Sequence, residues 1–120
     1  MILCVDDNPA IVESTQLMLE SEGYAVATRT DALRGISAFE YLNPDLVILD
    51  YAMPIMNGDD VAAEIRRRDH TVPLILYSGS LDVPERKTRC FDACVAKGDD
   101  PKILLHQIRR LLPGGEPAAA

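Results

Sequence analysis

Two stretches of this 120-residue chain place carboxylates where a short apolar run ends: "CVDDNP", in which Asp6 and Asp7 follow Ile2 to Val5, and "VILDYAMPIMNG", in which Asp50 follows Leu46 to Leu49. Taken one at a time, these aspartates have plain readings. Asp6 and Asp7 would cap a helix, and Asp50 would simply end a strand. Taken together, they have a different chemistry. Three carboxylates about 4 Å apart would repel by roughly 4 kcal/mol per pair at an effective dielectric near 20, so their convergence calls for a compensating cation. Mg²⁺ suits such a set, because it prefers six oxygens in an octahedron and keeps several waters. Two or three carboxylates and a backbone carbonyl would then leave room for a phosphoryl oxygen.

Whether they converge depends on the elements that carry them. Strand-like runs recur at Ile2 to Val5, Tyr24 to Thr28, Leu46 to Leu49, Pro73 to Tyr77 and Cys94 to Ala96. Val47, Ile48 and Leu49 are continuously apolar, as in a strand covered on both faces. Stretches of helical spacing lie between. Asn8-Pro9 opens the first helix, which runs to Gly23 as C-cap. The second fits Asp31 to Leu42, with Leu33, Ile36 and Phe39 facing inward. The third follows Asn57-Gly58, with Val61, Ala62 and Ile65 on one face and Arg66, Arg67 and Arg68 at a solvated end. A fourth starts at Asp82, with Glu85 completing a capping box, and lasts to about Arg89 or Cys90. The fifth opens at Asp100-Pro101 and places Leu104, Ile108, Leu111 and Leu112 on one stripe.

Alternating strands and helices mean right-handed βαβ units. The expected fold is therefore a flavodoxin-like, doubly wound α/β sheet of five parallel strands in the order 2-1-3-4-5, with five helices. In that order a crevice opens at the carboxyl ends of strands one and three, where the winding reverses. Asp6, Asp7 and Asp50 all sit there.

Composition bounds the rest. The length suits one domain, expected over residues 1–112, and "PGGEPAAA" at 113–120 reads as a flexible tail or linker. A net charge of −7 argues against direct nucleic-acid or anionic-membrane binding. No apolar run approaches the roughly 20 residues of a membrane span, and the expected location is cytoplasmic. Cys4, Cys90 and Cys94 form neither a disulfide framework nor a zinc motif and are expected as core filler. His70 and His106 are expected at the surface.

With these residues placed, the chain resembles a response-regulator receiver domain, the phosphoacceptor module of two-component signalling, from about Ile2 to Leu112. The resemblance rests on Asp6-Asp7 after the first strand, on "DYAMPIMNG" from Asp50 to Gly58, on Ser78-Gly79 after the fourth strand and on Lys97 after the fifth. It implies that Asp50 takes a phosphoryl group from the phosphohistidine of a histidine kinase or histidine phosphotransfer protein. It also implies that Asp7 ligates Mg²⁺ directly, Asp6 largely through water, and the carbonyl of Ala52 as a backbone ligand. Lys97 would neutralise phosphoryl charge, and Ser78 would donate the hydrogen bond that switches the domain. An output domain or separate downstream protein would receive the signal. Turnover of an external substrate is not implied.

The chain departs from the family pattern in three places. Where receivers carry an aromatic switch residue three positions before the lysine, this chain has Cys94. Gly98 replaces the usual Pro after Lys97, and the interval from Ser78 to Lys97 is about one helical turn short. These departures keep a second reading open, a constitutive module that binds partners without switching. A phosphatase of the haloacid-dehalogenase type would carry a second Asp two residues after the nucleophile, but Ala52 stands there. That alanine cannot orient water with its side chain, so slow loss of phosphate is expected.

Overall fold

A computed structural model describes residues 1–80 and 82–112, so the expected tail at 113–120 lies outside the described residues. The elements alternate as β1 (Ile2–Val5), α1 (Pro9–Ser21), β2 (Val26–Arg29), α2 (Ala32–Leu42), β3 (Leu46–Leu49) and α3 (Gly58–Arg68). They continue as β4 (Leu74–Ser78), a 3₁₀ turn (Glu85–Lys87), β5 (Ala93–Ala96) and α4 (Pro101–Leu111). The strands form one sheet in the order β2-β1-β3-β4-β5, all parallel. The expected fold and strand order hold.

The helix count does not. Among the described residues there are four α-helices, because the expected fourth helix is only the 3₁₀ turn Glu85–Lys87. Pro84 stands before it in an extended conformation (φ −52°, ψ 136°), and no side chain caps the turn. The segment Glu85-Arg86-Lys87-Thr88-Arg89 has no apolar stripe to bury, and an unpacked helix this short has little to offset its nucleation cost.

The helices cover the sheet on both sides. Leu3, Val5, Val47, Leu49 and Leu74 meet α2 and α3 on one face. Ile2, Cys4, Ile48, Ile75 and Val95 meet α1 and α4 on the other. The even and odd residues of β1 and β3 thus point to opposite cores, which is why these strands read as unbroken apolar runs.

On α2, Phe39 is buried and Ile36 packs against the core as expected, but Leu33 does not face inward. The helix buries Ala32, Gly35, Ala38 and Phe39, while Leu33 faces solvent at 56 % exposure. A Cβ on Gly35 would stand 2.8 Å from Val5 Cγ2, so the helix seats its small residues directly on β1 and turns the leucine outward. The cysteines divide as well. Cys4 is buried and Cys90 packs partly against the α2–α3 core, but Cys94 is exposed on the edge strand rather than filling the interior. His70 and His106 are both exposed, as expected. No described helix is long and apolar enough to cross a membrane.

Candidate functional site

The site is built on strand ends that hold one another. β1 and β3 pair with Val5 opposite Leu49, and the Asp50 N–H donates to the Val5 carbonyl at 2.9 Å. The main chain therefore fixes Asp6 beside Asp50 although 43 residues separate them. Carboxylate oxygens of Asp6, Asp7 and Asp50 lie within 4.8 Å of one another. On the far side, β4 pairs with β5, and the Lys97 N–H donates to the Ser78 carbonyl at 2.8 Å. The lysine and the serine are locked together just as the two aspartates are.

Lys97 reaches across to both anions. Its ammonium lies 3.1 Å from Asp50 Oδ1 and hydrogen-bonds to Asp6 Oδ2. The Asn8 N–H donates to the other oxygen of Asp6 at 2.9 Å. Asp6, Asp50 and Ser78 are buried, whereas Asp7 is exposed at the rim. Burial raises the Asp50 pKa above the ordinary carboxylate value, and the charge of Asp6 adds to that against the opposing pull of Lys97. Burial acts to lower the pKa of Lys97, but its hydrogen bonds to Asp6 and Asp50 outweigh this and hold it raised.

Three carboxylates and one ammonium leave an excess of two negative charges, which matches a divalent cation. The donors are all oxygens, as Mg²⁺ prefers. Asp6, Asp7, Asp50 and Ala52 line one open crevice of about 390 Å³, together with Ser78 and Lys97. Every expected site residue is thus gathered there except Cys94, which stands exposed on β5 and does not line the crevice. Partial desolvation of its thiol raises the Cys94 pKa.

The loop after Asp50 returns at once to the strand end. Met56 N–H donates to the Pro54 carbonyl at 2.8 Å, closing a three-residue turn with Ile55 at φ 73°. Gly58 N–H donates to the Tyr51 carbonyl at 2.6 Å, bringing the start of α3 against the backbone of Asp50. The Asn57-Gly58 pair signals a turn in the sequence, but not this approach.

The short interval between β4 and β5 signalled a stunted fourth helix, but not the path of this connection. Asp82 and Val83 line the crevice, so the shortened segment runs along its edge. From the 3₁₀ turn, Lys87 Nζ sits 5.9 Å above the Tyr51 ring centroid and 3.8 Å from Asp59 Oδ2 at the start of α3. The other oxygen of Asp59 is buried without a hydrogen-bond partner. No spacing rule links residues 51, 59 and 87.

Comparison with known proteins agrees with this geometry. Residues 2–111 match the response regulator receiver domain family. The chain is 37 % identical over 114 residues to the transcriptional regulatory protein CseB of Streptomyces avermitilis, covering 92 % of this chain and 48 % of that protein. It is 35 % identical over 118 residues to the DNA-binding response regulator MtrA of Mycolicibacterium smegmatis, covering 96 % and 51 %. It thus spans about half the length of these relatives. Among solved structures, the response regulator TrrA of Thermotoga maritima in complex with Mg²⁺-BeF superposes with a TM-score of 0.89 at 33 % identity, covering 92 % of this chain and 97 % of that one. TrrA in complex with the histidine kinase ThkA gives a TM-score of 0.87 at 34 % identity, covering 93 % and 97 %.

Proposed function

Because the chain belongs to the response regulator receiver domain family, we propose that it is a phosphoacceptor whose Asp50 takes a phosphoryl group from phosphohistidine. The observation that carries this reading is the set of Asp6, Asp7 and Asp50 oxygens within 4.8 Å of one another, with Lys97 3.1 Å from Asp50. A histidine kinase is the proposed donor, in keeping with the kinase complex of TrrA, and a histidine phosphotransfer protein would serve the same chemistry.

Asp50 is the nucleophile. One of its oxygens forms a bond to phosphorus while the P–N bond of the phosphoimidazole breaks and the ring nitrogen departs with the electron pair. Lys97 balances the charge on the equatorial phosphoryl oxygens, and the Ser78 hydroxyl donates to one of them once the phosphoryl group is in place. Asp6 holds Lys97 aimed into the crevice, while exposed Asp7 and the Ala52 carbonyl offer further oxygens. Asp6, Asp7, Asp50 and the carbonyl of Ala52 would hold a Mg²⁺ ion, which would supply electrostatic neutralisation of the transferred group.

The domain retains the phosphoryl group and does not turn over an external substrate. Its signal passes through the Ser78 contact and the segment after β4 to an output domain or separate downstream protein. With an alanine at position 52, hydrolysis of the acyl phosphate is slow.

Incubation with Mg²⁺ and acetyl phosphate, followed by intact mass, tests the chemistry. Addition of one phosphoryl group to wild type and none to Asp50→Asn is the expected result, and equal addition to both excludes Asp50 as acceptor. The exposed Cys94 favours a second reading, a module that binds constitutively. Equal partner affinity with and without beryllofluoride would select that reading.

A further inference from the structure

The outward face of α2, joined to the loop after Asp50, carries an apolar and cationic surface with no role in phosphoryl transfer. Leu33, Tyr41 and Ile55 are large hydrophobic side chains exposed at 56 %, 88 % and 88 %. Leu33, Ser37 and Tyr41 recur every four residues and so form one line along the helix, about 12 Å long at 1.5 Å per residue. A groove of about 210 Å³ joins Leu33 to Pro54 and Ile55 at one end. A second, of about 220 Å³, joins Tyr41 and Ser37 to Arg29 and Arg34.

Two details set this face apart from incidental exposure. Ile55 is a β-branched residue held at φ 73°, a conformation that glycine or asparagine would adopt far more readily, and its side chain covers almost nothing in this chain. The turn closed by Met56 N–H and the Pro54 carbonyl holds that conformation and leaves the side chain pointing into solvent. The groove at Tyr41 is lined by two arginines and no acid, although Asp31 lines the groove at Leu33. In a chain of formal charge −7, Arg29 makes no ion pair among the described residues, and Arg34 has only a loose contact with Asp31 at 3.8 Å.

We propose that this face docks an acidic amphipathic helix of a partner protein. Its apolar residues, two turns apart, would seat at Leu33–Ile55 and at Tyr41, with carboxylates against Arg29 and Arg34. Neither groove is lined by a residue of the acidic crevice.

A synthetic 18-residue helical peptide with leucines spaced for one face and glutamates elsewhere is the probe, with its Glu-to-Lys counterpart as control. Titrated into isotope-labelled protein, the acidic peptide should shift amide resonances of residues 30–42 and of Ile55 and Met56. Leu33→Ser and Arg34→Glu, both at exposed positions, should each weaken binding at least tenfold while leaving acetyl phosphate labelling unchanged. Equal binding of the lysine peptide, shifts centred elsewhere, or no localised shifts at millimolar peptide would overturn the proposal. Concentration-dependent dimers in sedimentation that disappear in Leu33→Ser would also overturn it, by assigning the face to a second copy. None of these outcomes depends on Asp50 being the phosphoacceptor.

Discussion

A side chain on Gly58 would place its Cβ 2.1 Å from the carbonyl oxygen of Asp50. No rotamer relieves that contact, since the backbone fixes the Cβ and its partner is a backbone carbonyl, so the first turn of α3 and the end of β3 must separate. Gly58→Ala should destabilise the protein by about 3 kcal/mol, the upper range for overpacking a close contact. Asp50 should also shift relative to Lys97. Chemical denaturation and acetyl phosphate labelling would check both, and an alanine variant of wild-type stability would contradict the geometry.

The aspartates of β1 should separate into two kinds by their response to metal. Asp7 is exposed, whereas Asp6 is buried between Lys97 and the Asn8 N–H. Asp7→Asn should therefore weaken Mg²⁺ binding at least tenfold while leaving the melting temperature in EDTA unchanged. Asp6→Asn should alter both, because it removes a charged partner from a buried lysine. In wild type, Mg²⁺ at a hundred times its Kd should add about 2.7 kcal/mol of stability, as expected for a ligand bound only by the native state.

Acid sensitivity should arise in part at Asp69, far from the crevice. Hydrogen bonds from the Thr71 N–H and hydroxyl and from the Val72 N–H hold its pKa below the ordinary value of 3.8. A depressed carboxylate pKa contributes stability that is complete above the unfolded value and is lost as pH falls through the folded one. Asp69→Ala should lower stability at neutral pH and flatten the acid limb below about pH 4. Denaturation midpoints between pH 2 and pH 7 would show whether the two curves converge as predicted.

Lys87 fastens the 3₁₀ turn to the residue after Asp50 through Tyr51 and Asp59. Lys87→Met should leave the Asp59 carboxylate without its cation and loosen the turn. Hydrogen exchange at the Lys87 and Thr88 amides, which bond to the Pro84 and Glu85 carbonyls, should accelerate, while β3 amides stay protected. Unchanged exchange would show that the clasp does not hold the turn.

What could be read in advance followed from backbone rules. Asp6, Asp50, Ser78 and Lys97 each fall at the carboxyl end of a short apolar run, and a parallel sheet collects such ends on one side. What could not be read depended on which contact wins in three dimensions. Asp82 and Glu85 carry the letters of a capping box, yet the segment behind them has no apolar stripe to anchor a helix. Leu33 is more hydrophobic than Gly35, but the glycine is what seats against Val5, so the leucine is turned outward while Ile36 and Phe39 keep the core face. Cys94 falls on the outward side of an edge strand, where a buried-residue type does not ensure a buried position.

The sheet also ranks the parts of the site by how firmly they are tethered. Asp6 and Asp50 extend from β1 and β3, each flanked by a strand on both sides, whereas Lys97 extends from β5, the outermost strand with a single neighbour. Fraying at that margin carries off the ammonium before it disturbs either anion. With that counter-charge withdrawn, the crevice would be more negative and a stronger lure for metal.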